Sequence, residues 1–187
     1  PTGSLARKID TGATPTSFPQ ATLVGIDARQ SLSYVLTPNT ISFRQLPSGN
    51  VYPVTLPIAL EEANITAVTH MTGATQWLAL GTDDGHIIPM RIRFRSVFDA
   101  AGTQETIPQM SVEPAFAIDP THAPIIRLAY QHDDDGISAI ALNNQGHLWY
   151  GTFRTLDHGY ESVQPPVDLS PHITGTITSL VMDGSGE

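Results

Sequence analysis

The stretch from Gln76 to Ile92 reads QWLALGTDDGHIIPMRI. It opens on a short apolar run, Trp77-Leu78-Ala79-Leu80, passes through Thr82-Asp83-Asp84-Gly85, and returns to an apolar run at Ile87. Four to eight apolar residues bounded by turn residues mark a strand, and a continuous run marks one covered on both faces. Asp and Gly suit the centre of a hairpin because they tolerate positive φ or bond their own backbone. The stretch predicts two antiparallel strands joined by a tight turn.

The same pattern recurs on either side. From Ala21 the chain reads ATLVGIDARQSLSYVLTPNTISFRQL; from Thr66, TAVTHMTGATQWLALGTDDGHIIPMRI; and from Arg127, RLAYQHDDDGISAIALNNQGHLWYGTF. The three align without internal gaps as strand, polar turn, strand, tight turn, strand. Their tight turns are Thr37-Pro38-Asn39-Thr40, Thr82-Asp83-Asp84-Gly85 and Asn143-Asn144-Gln145-Gly146. Fourth strands are expected at Val51 to Leu56 and Gln109 to Val112, and Ile58 to Ala63 is the one helix-like stretch. Starts at Ala21, Thr66 and Arg127 lie about 45 and 61 residues apart, and TSLVMDGSGE from Thr178 resembles a further opening strand.

That period and strand count match a four-stranded propeller blade, which needs neighbours to bury its faces. The expected fold is all-β: propeller-like repeats of four-stranded antiparallel blades, incomplete, with about three blades and the start of a fourth. Residues 1–20, rich in Thr, Ser, Pro and Gly, read as a linker or lead-in, and 21–187 as the partial propeller domain. An uncovered sheet edge templates pairing, so a homodimer through that edge is an expectation.

Composition narrows the function. Hydrophobic residues make up 40% of the 187 and charged residues 14%, too apolar for a disordered chain. Nine basic against eighteen acidic residues leave a formal charge of -9, a poor match to nucleic acid or an anionic membrane surface. The absence of cysteine excludes disulfides and thiolate metal sites and leaves the redox compartment open. No apolar run approaches the roughly 20 residues that cross a bilayer. A chain beginning at Pro1 without a signal peptide reads as processed or cut from something longer.

Candidate sites are few. Arg91, Arg93 and Arg95, at alternate positions of one strand, share a face; they read as a solvated face or as an anion or partner surface. Arg44 and Arg127 stand apart from them. His132-Asp133-Asp134-Asp135 is the densest set of metal-binding atoms, but the spaced oxygens and distal Glu of a calcium loop are missing. Asp133, Asp134 and Asp135 are therefore weak metal candidates, and an inter-strand loop is the better reading. Asp83 and Asp84, adjacent on a turn, point apart and suit turn formation better than acid–base chemistry. His86 and His147 take equivalent places after the turn glycine, which favours a structural role. No zinc-binding His spacing, serine elbow or phosphate-cradling loop occurs. No catalytic residue and no cofactor is expected. Trp77, Trp149 and Tyr150 lie inside expected strands and read as core.

Gly81-Thr82-Asp83-Asp84-Gly85-His86-Ile87, Arg91-Ile92-Arg93-Phe94-Arg95, Phe98-Asp99 and Gly102 together resemble one family, the large form of the phosphate ABC transporter permease (PstC-like). Ile126-Arg127-Leu128-Ala129-Tyr130-Gln131 and Asn144-Gln145-Gly146-His147-Leu148 extend the resemblance. It covers roughly Ala21 to Asp183. No WD dipeptide closes a unit, which sets the chain apart from the common cytoplasmic WD40 class. The resemblance implies a WD40-like segment on the periplasmic side of an inner-membrane permease. Docking or sensing during phosphate import, with the phosphate-binding protein or other permease components as partners, would be its role. Two alternatives stay open: half of a soluble propeller hydrolase or lyase with a cation site, and a general protein-interaction propeller.

Overall fold

The computed structural model describes residues 23–26, 32–36, 41–45, 49–54, 63–70, 76–98, 100–102, 104–132, 136–180 and 182. Three antiparallel sheets follow one another along the chain, each a meander of four strands in sequence order. The first holds β1 (Leu23–Ile26), β2 (Leu32–Leu36), β3 (Ile41–Gln45) and β4 (Val51–Val54). The second holds β5 (Ile65–His70), β6 (Gln76–Thr82), β7 (His86–Phe98) and β8 (Gln104–Val112), with β9 (Phe116–Ala117) added on β7. The third holds β10 (Ile125–His132), β11 (Ile137–Asn143), β12 (Leu148–Leu156) and β13 (Gly159–Ser162), with β14 (Val167–Asp168) added on β12. These are three propeller-like blades.

The blades stack by burying both faces of the middle one. Successive side chains of a strand point to opposite faces. Leu78 and Leu80 of β6, with Ile88, Met90 and Ile92 of β7, form one core with Ile41 and Phe43 of the first blade. Trp77 and Ala79, with Ile87, form a second core with Ile125, Leu128, Tyr130, Ile137, Ala139, Ala141 and Phe153 of the third. This two-sided burial is why β6 reads as a continuous apolar run. Thr66 also donates from Oγ1 to the Ile125 carbonyl at 2.6 Å, a polar tie between blades two and three.

Register corrects the gapless alignment of the second and third units. Val68 pairs with Leu80, and Leu128 with Ala141, so Val68 answers to Leu128. The equivalent of Arg127 is thus Ala67 and not Thr66, and the link between first and second strands is one residue longer in the third blade. A slip of one residue exchanges the two faces of a strand. Here Thr66-Ala67-Val68 and Arg127-Leu128-Ala129 offer an apolar match in either register, so pattern alone cannot choose. Both opening strands also carry a register shift near their start, between Ile65 and Ala67 and between Ile125 and Arg127.

Other expectations change in extent. The fourth strand of the first blade is described as Val51–Val54, and that of the second starts earlier than expected, at Gln104. Of Ile58 to Ala63, only Ala63 lies within the described residues, and it is not helical. Thr178, Ser179 and Leu180 lie in no strand; the Thr178 carbonyl accepts from Arg127 Nε at 3.4 Å. A short 3-10 turn at Ser170–His172 is the one helical element among the described residues, none of which forms a helix long and apolar enough to cross a membrane.

Candidate functional site

Two ends of the blades carry polar chemistry. At one end, the tight turns between second and third strands are built alike in blades two and three. Thr82 and Asn143, each 1% exposed, occupy the same place. Thr82 Oγ1 accepts from the His86 amide at 3.0 Å, and Asn143 Oδ1 accepts from the His147 amide at 2.9 Å. Each side chain thus closes its own turn across the glycine, where Gly85 has φ +80° and Gly146 φ +88°. Each turn is also tied to the chain entering its blade: the Asp83 amide donates to the Asn64 carbonyl, and the Asn144 amide to the Pro124 carbonyl, both at 2.9 Å.

A carboxylate–amide pair reinforces each tie. In blade two, Asp83 accepts from Asn64 through its backbone amide at 2.7 Å and through Nδ2 at 2.6 Å. In blade three, Asn143 Nδ2 donates at 2.7 Å to Asp119, which is 0% exposed. Asp119 Oδ1 also takes the Thr121 amide and hydroxyl, both at 2.7 Å. Burial pushes the Asp119 carboxyl up, but hydrogen bonds from Asn143 and Thr121 outweigh it and hold it below its usual range. Asp119 escaped the sequence reading. Its signal is the Asp119-Pro120 pair, since Asp at the first place and Pro at the second open a type I turn.

The neighbouring titratable groups serve the same scaffold. Asp83 turns to Asn64, while Asp84 accepts from Thr82 Oγ1 and lies 3.1 Å from His86 Nδ1, so the two acids diverge as expected. Burial raises the Asp84 carboxyl, and its hydrogen bonds with Thr82 and His86 bring it below the usual range. His147 meets a different acid, Asp168 on β14, at 2.8 Å. Hydrogen bonding from Ser170, chiefly, lowers Asp168 to about 2. The two equivalent histidines therefore each hold a carboxylate, from different parts of the chain.

The weak metal candidates Asp133, Asp134 and Asp135 lie outside the described residues, among which no three His, Cys, Asp or Glu side chains converge. His132 stacks on Trp77, with ring centroids 3.9 Å apart and planes 12° apart, and its Nδ1 lies 3.0 Å from the Tyr130 hydroxyl. Burial pushes the Tyr130 hydroxyl well above its usual range. Trp77 is core, as expected; Trp149 is partly buried against the same core, and Tyr150 is half-buried.

At the other end lies the arginine face. Among the described residues, β6 pairs with β7 as far as Ile92, opposite Gln76, and β7 and β8 stay paired out to Phe98 and Gln104. Residues 93–98 and 104–109 form a two-stranded arm past the described part of β6, with Gly102 at φ +80° between the strands. At about 3.3 Å per residue the arm is roughly 20 Å long. Phe94 packs against the core shared with the first blade, and Phe98 on the same face is 68% exposed. The opposite face carries Arg93 beside Gln109 and Arg95 beside Ile107, and continues into the blade with Arg91 beside Trp77 and Ser111.

Arg44, Arg91, Arg93, Arg95, Arg127 and Arg154 are the basic residues among the described ones. Arg44 donates to the Gly49 carbonyl, Arg127 to the carbonyls of Ile126 and Thr178, and Arg154 to Glu161. Arg91 lies over the Trp77 ring, 5.4 Å from its centroid, with its Nε buried and without a hydrogen-bond partner. Arg93 and Arg95 are exposed, and no carboxylate among the described residues pairs with either. The expected shared face is present, and no acid among the described residues matches its charge.

No family model matches the chain, and no curated protein matches its sequence. Among solved structures, the WD40 domain of SCAP from fission yeast is similar over 81% of this chain and 32% of its own, at 12% identity and a TM-score of 0.47. The complex of the fission yeast SREBP–SCAP binding domains matches over 81% and 37%, at 12% identity and 0.45. A mitotic checkpoint complex structure matches over 80% and 38%, at 13% identity and 0.45. The chain spans about a third of the length of these structures.

Proposed function

We propose that this chain is a non-catalytic docking segment: a propeller-like stack whose blades hold a projecting arm out to a protein partner. The observation that carries this reading is the arm itself. Two strands run past the described part of β6, with an exposed aromatic ring at Phe98 on one face. On the other face are exposed guanidinium groups at Arg93 and Arg95 that no carboxylate among the described residues pairs with. Arginine and aromatic residues are enriched where proteins meet. The polar pairs at the far end are consumed in closing turns and joining blades, which leaves the arm as the chemically uncommitted part among the described residues.

The setting we propose is the periplasmic side of an inner-membrane phosphate permease of the PstC-like class. It is supported by the run from Gly81 to Ile87, the alternating arginines and the Phe98-Asp99 and Gly102 spacing. In that setting the segment docks or senses during phosphate import, with the phosphate-binding protein or another permease component as partner. Docking is tested by placing a photo-crosslinking residue at Gln109 in the full-length protein and, as control, at Thr155. Crosslinks to a protein from Gln109 and none from Thr155 are expected; none from either position ends the docking reading. The permease setting is tested by the parent gene, which must encode membrane helices flanking this segment.

A further inference from the structure

We infer that the arginine face of the arm receives an extended acidic segment of a partner protein, with carboxylates at alternate residues. The inference rests on the docking reading and specifies the chemistry of its partner. Arg91, Arg93 and Arg95 repeat every second residue, so their side chains leave one face at intervals of about 7 Å. Only a partner chain that is itself extended repeats its side chains at that interval; a helix brings its neighbours together every third or fourth residue.

The third blade shows what the position demands. By register Arg93 is the equivalent of Arg154, because Trp77 pairs with Arg91 as Ser138 pairs with Thr152. Arg154 faces Glu161 on the next strand and donates to it from Nε at 2.7 Å. Arg93 faces Gln109 instead, a residue without charge. Opposite this position blade two has Gln109 where blade three has an acid, and an alternating acidic strand from outside would supply it. Gln109 and Ser111 add hydrogen-bonding groups between the charges. The nearest acids by register are Glu105, opposite Val97 beyond Arg95, and Glu113, which accepts from Ser111.

Overall charge sharpens the choice. A formal charge of -9 opposes polyanions and acidic peptides alike at distance, so what binds here must be held by local contacts. A phosphate polymer, with one charge every few ångströms, needs a broad basic surface. A short acidic strand needs only the few arginines present, and Arg holds carboxylates through paired donors.

The probe is a fluorescent peptide with Glu at three alternate positions among Thr. Its controls are the same composition with the three Glu adjacent, and the alternating peptide with Lys for Glu. Anisotropy titrations at low salt should show the alternating acidic peptide binding best. Its Kd should rise at least about tenfold in Arg93→Glu/Arg95→Glu, since two attractive surface pairs become repulsive. Gln109→Glu, which places an acid opposite Arg93, should weaken binding several-fold with every arginine kept. Val163→Ser, an exposed apolar residue of the third blade, should leave it unchanged. Unaltered melting temperatures certify the variants as folded.

Equal binding of the adjacent-Glu or Lys peptide, or no response to either charge variant, overturns the inference. So does salt-sensitive self-association that the double variant abolishes, because the occupant is then a second copy. Crosslinks from Gln109 without peptide binding leave docking standing and remove the acidic strand; loss of both removes both.

Discussion

Blades two and three are the same unit spent in two ways. Both close the tight turn with a buried polar side chain, Thr82 or Asn143, and both lean on a positive-φ glycine. They part in what surrounds them. Blade two is packed on both sides, against Ile41 and Phe43 on one face and Ile125 and Leu128 on the other. The face of blade three that carries Ile140 and Tyr150 is half-buried. In both blades the third and fourth strands stay paired past the described second strand. They do so over six residues in blade two (Arg93 to Phe98) and three in blade three (Arg154 to Leu156), where Arg154 and Glu161 form an exposed pair. Internal position packs blade two on both faces, and the arm continues from that packed sheet.

The comparison breaks first in the core. Leu80→Ala removes a fully buried side chain between two blades and should cost about 3 kcal/mol in urea unfolding, the middle of the range for buried Leu. Ile140→Ala, on the half-buried face of blade three, should cost about 1 kcal/mol. Equal losses would mean that both faces of blade three are as closed as those of blade two.

The turn glycines give the next largest difference. Both have positive φ, so Ala at either carries a left-handed cost of about 1–2 kcal/mol. At Gly146 a Cβ meets nothing within 4 Å, and Gly146→Ala should lose only that strain. At Gly85 a Cβ would stand 2.7 Å from the His122 Cα, so backbone must move and Gly85→Ala should lose about 1 kcal/mol more. The carboxylate ties follow. Asp119→Ala strands the buried Asn143 amide and should cost about 2 kcal/mol, against about 1 kcal/mol for Asp83→Ala, whose partner Asn64 is only half-buried.

How much of this could be read beforehand follows from which interactions are local. The turns were legible because Thr82-Asp83-Asp84-Gly85 and Asn143-Asn144-Gln145-Gly146 carry their geometry within a few residues. The double burial of blade two was legible in Trp77-Leu78-Ala79-Leu80 for the same reason, as was the shared face of Arg91, Arg93 and Arg95. Asp119 was hidden because its meaning lies in a bond to Asn143 across the chain. The register of the opening strands was hidden because both alignments place apolar residues on the core. The arm was hidden because nothing within Ile92-Arg93-Phe94-Arg95 says how far β7 and β8 run together; the strand pattern is the same with or without a neighbour.

The smallest effect bears most directly on the difference between the blades. Gln109→Glu gives blade two the cross-strand acid that blade three already has at Glu161. Exposed pairs contribute about 0.2–1 kcal/mol, so stability should rise by about 0.5 kcal/mol, and the gain should fade by 0.5 M salt, where charges beyond a few ångströms are screened. The converse change, Glu161→Gln in blade three, should cost a similar amount and leave Arg154 exposed and unpaired, as Arg93 is. If charge pairing is the whole difference, the Glu161→Gln protein gains a second, single-arginine contact for the acidic probe. If the arm's length is also needed, it gains none, because β13 ends at Ser162 and offers no alternating stripe. The arm supplies two exposed arginines in register beyond the sheet, so the second outcome is the expected one, and peptide titration of that variant decides between them.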